Sequence, residues 1–343
     1  MHKSPYAARY IYVDTPRVDK MERTGIPERV AVVGSGIMGH GIAQVFAQAG
    51  CQVMLHDVDA AVLENAECRI RSNLIALFEH KSKDPALINE IISRITMTQS
   101  LSEAVVAADF VMESASENLE LKIELFEAIE SFAPASAILA SNTSMLRISD
   151  IGKRVKDKKR LIVSHWFNPP YLIPVVEVVR GPETSSETWE RTIHVLENVG
   201  KLPIRLLKEV PGHLLNRIQF ALLRETLSLL QDGVATVEEI DKAVSGSLGL
   251  RLAAIGPLRG MDFSGIEIFW YGMENMHKYH YESPDPRRII EEKMKAGHVG
   301  RKSGKGFYEY EPGSIVSKEE KERDEKIMNL LAVLYPQQEP ADG

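Results

Sequence analysis

Short β-branched runs alternate with longer stretches of helical period along the first 210 residues. The extended runs cover 29–33, 52–56, 110–113, 137–140, 161–165 and 175–179, and their alternation with helical patterns is the signature of a mostly parallel, doubly wound sheet covered on both faces. Between Asp59 and Thr96 a mostly polar helical stretch is broken near Asp84 and Pro85. It is longer than an ordinary crossover and predicts a projecting helical hairpin at about 60–95. After Pro211 the strand-like runs stop, and Leu214, Leu215, Ile218, Leu222 and Leu229 recur at helical spacing, with further helical segments from Val237 and Pro286. The chain therefore divides into an α/β domain at 28–210 and a smaller, all-helical C-terminal domain at 211–312. Ser317 and Glu320 form a capping box before a stripe of Ile327, Leu330, Leu331 and Leu334, so 313–343 is expected to be an amphipathic helix and tail. Residues 1–27 show neither period and are expected to be a tail or arm.

Composition narrows the partners. The chain has 343 residues, 44% of them hydrophobic, enough for two cores. Its formal charge of -7, with both signs interspersed, lacks a nucleic-acid footprint and leaves small molecules as the expected partners. Cys51 and Cys68 are too far apart in sequence for a metal or redox pair, which points to a reducing compartment, no disulfide and no metal. Apolar runs fall short of the roughly 20 residues that span a bilayer, and the N-terminus lacks the apolar core of a secretory signal. A cytoplasmic protein without a membrane partner is expected.

Gly34-Ser35-Gly36-Ile37-Met38-Gly39 follows the first extended run and opens a helix with Ile42, Val45, Phe46 and Ala49 on its apolar face. This is the context that a dinucleotide-binding glycine motif requires. Gly34 permits the tight turn, Gly36 lets a pyrophosphate approach the backbone, and Gly39 lets helix and strand pack closely. Amides at the helix start, those of Ile37 and Met38 included, are then free for phosphates. The second extended run leads to Asp57, whose carboxylate can accept from both ribose hydroxyls. Val58 and Asp59 follow instead of an arginine, so a 2′-phosphate would meet like charge, and NAD is expected over NADP. The alternative is a tight strand-to-helix turn with no dinucleotide, in another doubly wound protein. With the glycines in this context, a Rossmann-type domain is the expected fold.

Oxidising an alcohol with NAD requires a base for the hydroxyl proton, a role that histidine suits near neutral pH. Among ten histidines, His165 ends an extended run, at the carboxyl edge where open α/β sheets bind ligands. Glu177 lies inside Val175-Val176-Glu177-Val178-Val179, where an ionised side chain needs a partner. A His165–Glu177 pair satisfies both residues, the carboxylate holding the tautomer and stabilising the imidazolium. Asn168-Pro169-Pro170 would stiffen the loop that aims the histidine. A histidine at a strand end also occurs as an ordinary structural residue.

Together, Gly34 to Gly39, Ser141-Asn142-Thr143-Ser144, His165-Trp166-Phe167-Asn168-Pro169, Val176-Glu177-Val178, Pro211-Gly212 with Asn216-Arg217, and the closing 300–308 segment resemble the 3-hydroxyacyl-CoA dehydrogenase family in order and spacing. The resemblance implies an NAD-dependent enzyme of fatty acid metabolism that works as a homodimer. It makes His165 the base, Glu177 its partner, and Ser144 and Asn216 the groups that hydrogen-bond the substrate oxygen in a site between the two domains. It likewise implies NAD contacts for Glu117, Lys122, Asn142, Asn168 and Lys302. Taken alone, Ser144 could cap a following helix, Asn216 could bond locally, and Glu117 and Lys122 could be solvated residues at a helix start.

The family's CoA-using members carry a lysine-rich hairpin. Here it reads Arg69-Ile70-Arg71-Ser72-Asn73 and Glu79-His80-Lys81-Ser82-Lys83, which is less basic, with Asn73 and Lys81 as the substrate-side candidates. Trp166 and the segment 169–174 look more like relatives acting on free hydroxy acids or ring-bearing alcohols, such as gulonate, carnitine and pyridine-compound dehydrogenases. An acyl-CoA is ranked first as substrate and a non-CoA alcohol second. A crystallin-like structural role is the third possibility.

Overall fold

A computed structural model describes residues 27–80, 85–280, 287–298, 303–309 and 318–334. Eight strands form one sheet: β1 (Arg29–Val33), β2 (Gln52–His56), β3 (Ile95–Thr98), β4 (Phe110–Glu113), β5 (Ile138–Ser141), β6 (Leu161–Trp166), β7 (Val175–Val179) and β8 (Leu202–Leu206). Their order is β3-β2-β1-β4-β5-β6-β7-β8. All neighbours run parallel except β6 and β7. The strand order reverses between β1 and β4, and the carboxyl ends of those strands form the crevice where doubly wound folds bind nucleotides.

The central strands are buried on both faces, which is why they read as apolar runs without alternation. Val30, Val32, Phe110, Met112 and Ile162 belong to one core, and Ala31, Val33, Val111, Leu139 and Val163 to the other. The helices of this unit are α1 (Gly39–Gln48), α2 (Ala60–His80), α3 (Ala86–Ser93), α4 (Leu101–Val105), α5 (Leu119–Phe132), α6 (Ile148–Ile151) and α7 (Ser186–Asn198). Side chains of Ser100, Asn118 and Ser185 cap α4, α5 and α7 by accepting amides of the first turn.

Two strands lie beyond those expected. β3 is a partly exposed edge, and β8 is an edge that carries Pro203, a residue tolerated only where a ladder donor is dispensable. The expected helical segment at 60–95 holds two helices, α2 and α3, but they do not project: they pack down, burying Leu63, Ile70, Leu74, Leu77, Ile88 and Ile91 in the core that includes α1. Its connection, with Lys81, lies outside the described residues.

The chain divides into two compact units, 27–214 with 318–334 and 215–309. In the first, the last helix buries Met328 and Leu331 in the sheet's core, and Asp324 accepts the Tyr171 hydroxyl. Ser317 of the expected capping box and the 1–26 arm lie outside the described residues. The second unit is helical: α8 (Leu215–Gln231), α9 (Val237–Ala243), α10 (Leu250–Ile255), α11 (Pro257–Ser264), α12 (Ile266–His280) and α13 (Arg287–Lys295), with a π-helical turn at Val244–Gly249. Helix α14 (Lys318–Leu334) is the one that returns to the first unit.

Candidate active site

The glycine motif divides its three tasks as chemistry requires. Gly34 has φ +99°, and a Cβ there would lie 2.6 Å from the Ser114 carbonyl oxygen. A Cβ on Gly39 would lie 1.7 Å from the Gly34 carbonyl oxygen, so any side chain would drive the helix off the strand. A Cβ on Gly36 would meet nothing within 4 Å, leaving the backbone open to an approaching phosphate. Ile37 beside it is exposed, while Met38 packs partly against the core. Asp57 accepts the Ser35 amide at 2.8 Å and the Asp59 amide at 3.2 Å, which fixes its carboxylate next to the loop. The residues fit NAD: an open glycine turn, Ile37 and Met38 amides at the helix start with no hydrogen bond among the described residues, and an acceptor at the end of β2.

Beneath this crevice lies a buried polar network at the ends of β4 and β5. Glu113 is fully buried and accepts from Lys122 Nζ and Ser141 Oγ, each at 2.5 Å, and from the Ala115 amide at 2.7 Å. Lys122 Nζ also lies 3.5 Å from Glu117. Lys122 thus departs from its expected place as a cofactor contact: the side chain is fully buried and its ammonium sits between two carboxylates, where it neutralises them. Glu117 in turn gathers the loop after β5, accepting from the Thr143 hydroxyl at 2.6 Å and from the Ser144 and Met145 amides at 3.0 Å. Burial pushes this carboxyl up, but Thr143, Lys122 and the two amides outweigh it and hold it below the ordinary glutamate range. Asn142 spans to the next strand, its Oδ1 accepting the Trp166 amide at 2.8 Å.

On the antiparallel pair, His165 lies directly opposite Glu177. Opposed residues share a face of the sheet, and the two side chains meet with Nδ1 2.8 Å from Oε2, both buried. A carboxylate only accepts, so Nδ1 carries the proton and Nε2 remains the basic nitrogen. The second carboxylate oxygen accepts the Leu214 amide at 3.0 Å. Phe167 packs on the imidazole with ring centroids 4.5 Å apart. The first unit thus brings Gly34, Gly36, Gly39, Asp57, Glu117, Asn142, Ser144, His165 and Glu177 to the carboxyl edge of one sheet. Asn168 is exposed in the loop after β6. Asn216 stands in the first turn of α8 in the second unit, and Lys302 lies outside the described residues. Asn73 is corrected as a substrate contact, because it is buried and its amide donates to Gln44 at 3.2 Å.

Sequence reasoning missed Glu113, Ser141 and His213. Glu113 ends the apolar run Phe110–Glu113, and the argument that singled out Glu177, a carboxylate in an apolar strand, applies to it equally.

Residues 29–210 match the model of the 3-hydroxyacyl-CoA dehydrogenase NAD-binding domain, and 212–310 match that of the 3-hydroxyacyl-CoA dehydrogenase C-terminal domain. The chain belongs to the 3-hydroxyacyl-CoA dehydrogenase family. It is 35% identical over 285 residues to a probable 3-hydroxybutyryl-CoA dehydrogenase of Bacillus subtilis, covering 83% of this chain and 98% of that one. It is 30% identical over 305 residues, 89% of this chain and 97% of the relative, to the 5-formyl-3-hydroxy-2-methylpyridine 4-carboxylate 5-dehydrogenase of Mesorhizobium japonicum. The solved structure of a dehydrogenase of that description, an NAD+ dependent dismutase, is similar with a TM-score of 0.83 at 30% identity, covering 91% of this chain and 99% of that one. A lambda-crystallin homolog of Bos taurus is 39% identical over 246 residues, 71% of this chain and 77% of the homolog. The family member described here is an NAD-dependent oxidoreductase with a Rossmann domain. Among its described residues no helix is long and apolar enough to cross a membrane.

Proposed function

We propose that this dehydrogenase oxidises the 3-hydroxyl of a 3-hydroxyacyl compound, with His165 as general base and Glu177 as its partner. The observation that carries the assignment is the buried 2.8 Å contact between Nδ1 and Oε2 at the carboxyl edge of the sheet. Nε2 takes the hydroxyl proton as the C–O bond becomes a carbonyl, and Glu177 stabilises the imidazolium that results. NAD, when bound, supplies the acceptor for the hydride that leaves the carbon. Gly34, Gly36 and Gly39, with the Ile37 and Met38 amides, would hold its phosphates, Asp57 a ribose, and Asn142 and Asn168 the nicotinamide side. Glu117 serves that site by ordering the Thr143–Met145 segment, and Ser144 would polarise the substrate oxygen. The roles of Asn216 and Lys302 rest on the family motifs alone.

The acyl group is assigned first to CoA, as in the B. subtilis relative. A specific observation supports the second assignment, a free hydroxy acid or ring-bearing alcohol: Asn73 is buried, and Arg71 is engaged by Asn89 at 3.2 Å and lies 4.0 Å from Glu67. Following NADH absorbance with 3-hydroxybutyryl-CoA and with a panel of free hydroxy acids decides between them. Turnover of neither, together with tight NAD binding, overturns both and leaves the crystallin-like role. A homodimer completes the proposal, because the second unit displays Leu258, Phe263, Ile268 and Trp270, and the cytoplasmic location rests on the sequence's cysteine usage alone.

A further inference from the structure

Among the described residues, His213 alone combines a side chain beyond glycine with a left-handed backbone, φ 50°, directly after Gly212 at φ 75°. Residues with a Cβ resist this conformation and hold it where their surroundings impose it, most often at functional sites. Two contacts impose it here. His213 Nε2 lies 3.0 Å from the Thr143 carbonyl, and a carbonyl only accepts, so Nε2 carries the proton. Nδ1 is then a buried acceptor with no partner among the described residues. The next amide, that of Leu214, donates to the Glu177 oxygen that His165 does not use. The His213 ring, itself 1% exposed, has its centroid 5.4 Å from that of His165. One residue therefore touches the loop that bears Ser144, aims the amide that holds the carboxylate, and walls the imidazole base.

We propose that His213 is a positioning residue, locking Glu177 and the Thr143–Ser144 loop into one frame around His165. The proposal rests on His165 being the base. The titratable groups facing His213 are His165 on β6, Glu177 on β7 and Glu117 ahead of α5. Burial is the largest influence and holds the His213 imidazole below its ordinary range, against the Thr143 carbonyl and the two carboxylates, with His165 adding to the lowering. A neutral His213 leaves the charge of Glu177 to His165 alone, whereas a second cation beside it would oppose the imidazolium formed during oxidation.

The test is steady-state NAD reduction by the full chain, with 3-hydroxybutyryl-CoA and the hydroxy acid panel as probes, for wild type, His213→Phe, His213→Asn and His165→Gln. Both His213 variants are expected to lose about 10-fold in kcat, the scale of a small misplacement of reacting groups, while KM for NAD stays within about twofold. The acid limb of kcat/KM should also move about half a pH unit lower, because a loosely seated carboxylate stabilises an imidazolium less. A packing role alone would leave that limb in place. If His165→Gln is inactive while the His213 variants keep the wild-type kcat and acid limb, the positioning role falls and the base stands. An active His165→Gln overturns the base and the proposal with it. Nitrogen-15 NMR of the wild-type histidines supplies a measurement independent of any variant's folding, with His213 expected to stay neutral and protonated on Nε2 to a lower pH than an ordinary histidine. Protonation on Nδ1, or charging of His213 at or above the ordinary histidine range, overturns the proposal.

Discussion

The two units of this dehydrogenase use similar proportions of apolar residues in opposite ways. In the first, helices and strands bury Phe46, Phe110, Phe126 and Trp166 almost completely, and a charged network is sealed beneath the crevice. In the second, α8, α9 and α10 contain no buried residue, and Phe263 and Trp270 are 75% and 65% exposed. Helical periodicity guarantees that a helix has an apolar face, but it does not state whether the same chain covers that face. The first unit encloses its candidate site in a packed frame, and the second presents the exposed apolar surface on which the proposed homodimer rests.

The largest expected effect tests the rigidity of the first unit. Gly39→Val places a branched side chain where even a Cβ meets the Gly34 carbonyl at 1.7 Å. It should cost about 3 kcal/mol or more of stability and abolish NAD binding, measured by thermal unfolding and cofactor titration. Wild-type melting would show that the strand-to-helix junction is far softer than its packing. Next, His165→Gln should lower kcat by roughly 100-fold or more with NAD affinity nearly unchanged, as expected on losing a general base. Asp57→Ala should weaken NAD binding by about 10-fold through lost ribose contacts, read by fluorescence titration, and unchanged affinity would remove that contact.

A double substitution in the second unit, Phe263→Glu with Trp270→Lys, sharpens the contrast from the other side. It should convert a dimer to a monomer in sedimentation while moving the first unit's melting by only about 2 °C, as surface changes do. A sedimentation profile identical to that of wild type would mean that these side chains are not at an interface. The smallest effect is on pH dependence. The folded-state values of Glu117 and His213 both lie below their ordinary ones. Glu117 therefore contributes stability that is present above the unfolded glutamate value and lost as pH falls through its lower folded value. His213, buried neutral, costs stability as pH falls below its unfolded value of about 6.5, since the unfolded chain binds that proton more readily. Melting should decline as pH falls below about 6.5 through His213 and further as pH falls below the ordinary glutamate range, and only that lower part of the decline should be shallower in Glu117→Gln.

Much of the first unit was legible along the chain. Buried parallel strands write themselves as uninterrupted β-branched runs, and the strand–glycine–helix junction is local, so Gly34, Gly36, Gly39 and Asp57 could be placed before any coordinates. His165 and Glu177 were legible for a different reason, since an ionisable residue in an apolar strand demands a partner. Strands β3 and β8 escaped because edge strands need neither full apolarity nor every donor. Asn73 misled because a polar residue on an amphipathic helix looks solvated until its neighbour Gln44 is known. Lys122 misled in the same way.

Sequence alone determined the six central strands, most of the helices, where the glycine turn lies, and that the His165 imidazole and the Glu177 carboxylate would meet, because those properties depend on period, local backbone freedom and the cost of an isolated charge. Tertiary structure decided the rest. Only folding packed the 60–95 helices onto the core, returned α14 to the first unit, buried Lys122 between two carboxylates, and brought His213 against His165 from 48 positions away. These outcomes depend on which surfaces meet across the chain, and a one-dimensional pattern records what each surface is without recording what it will face.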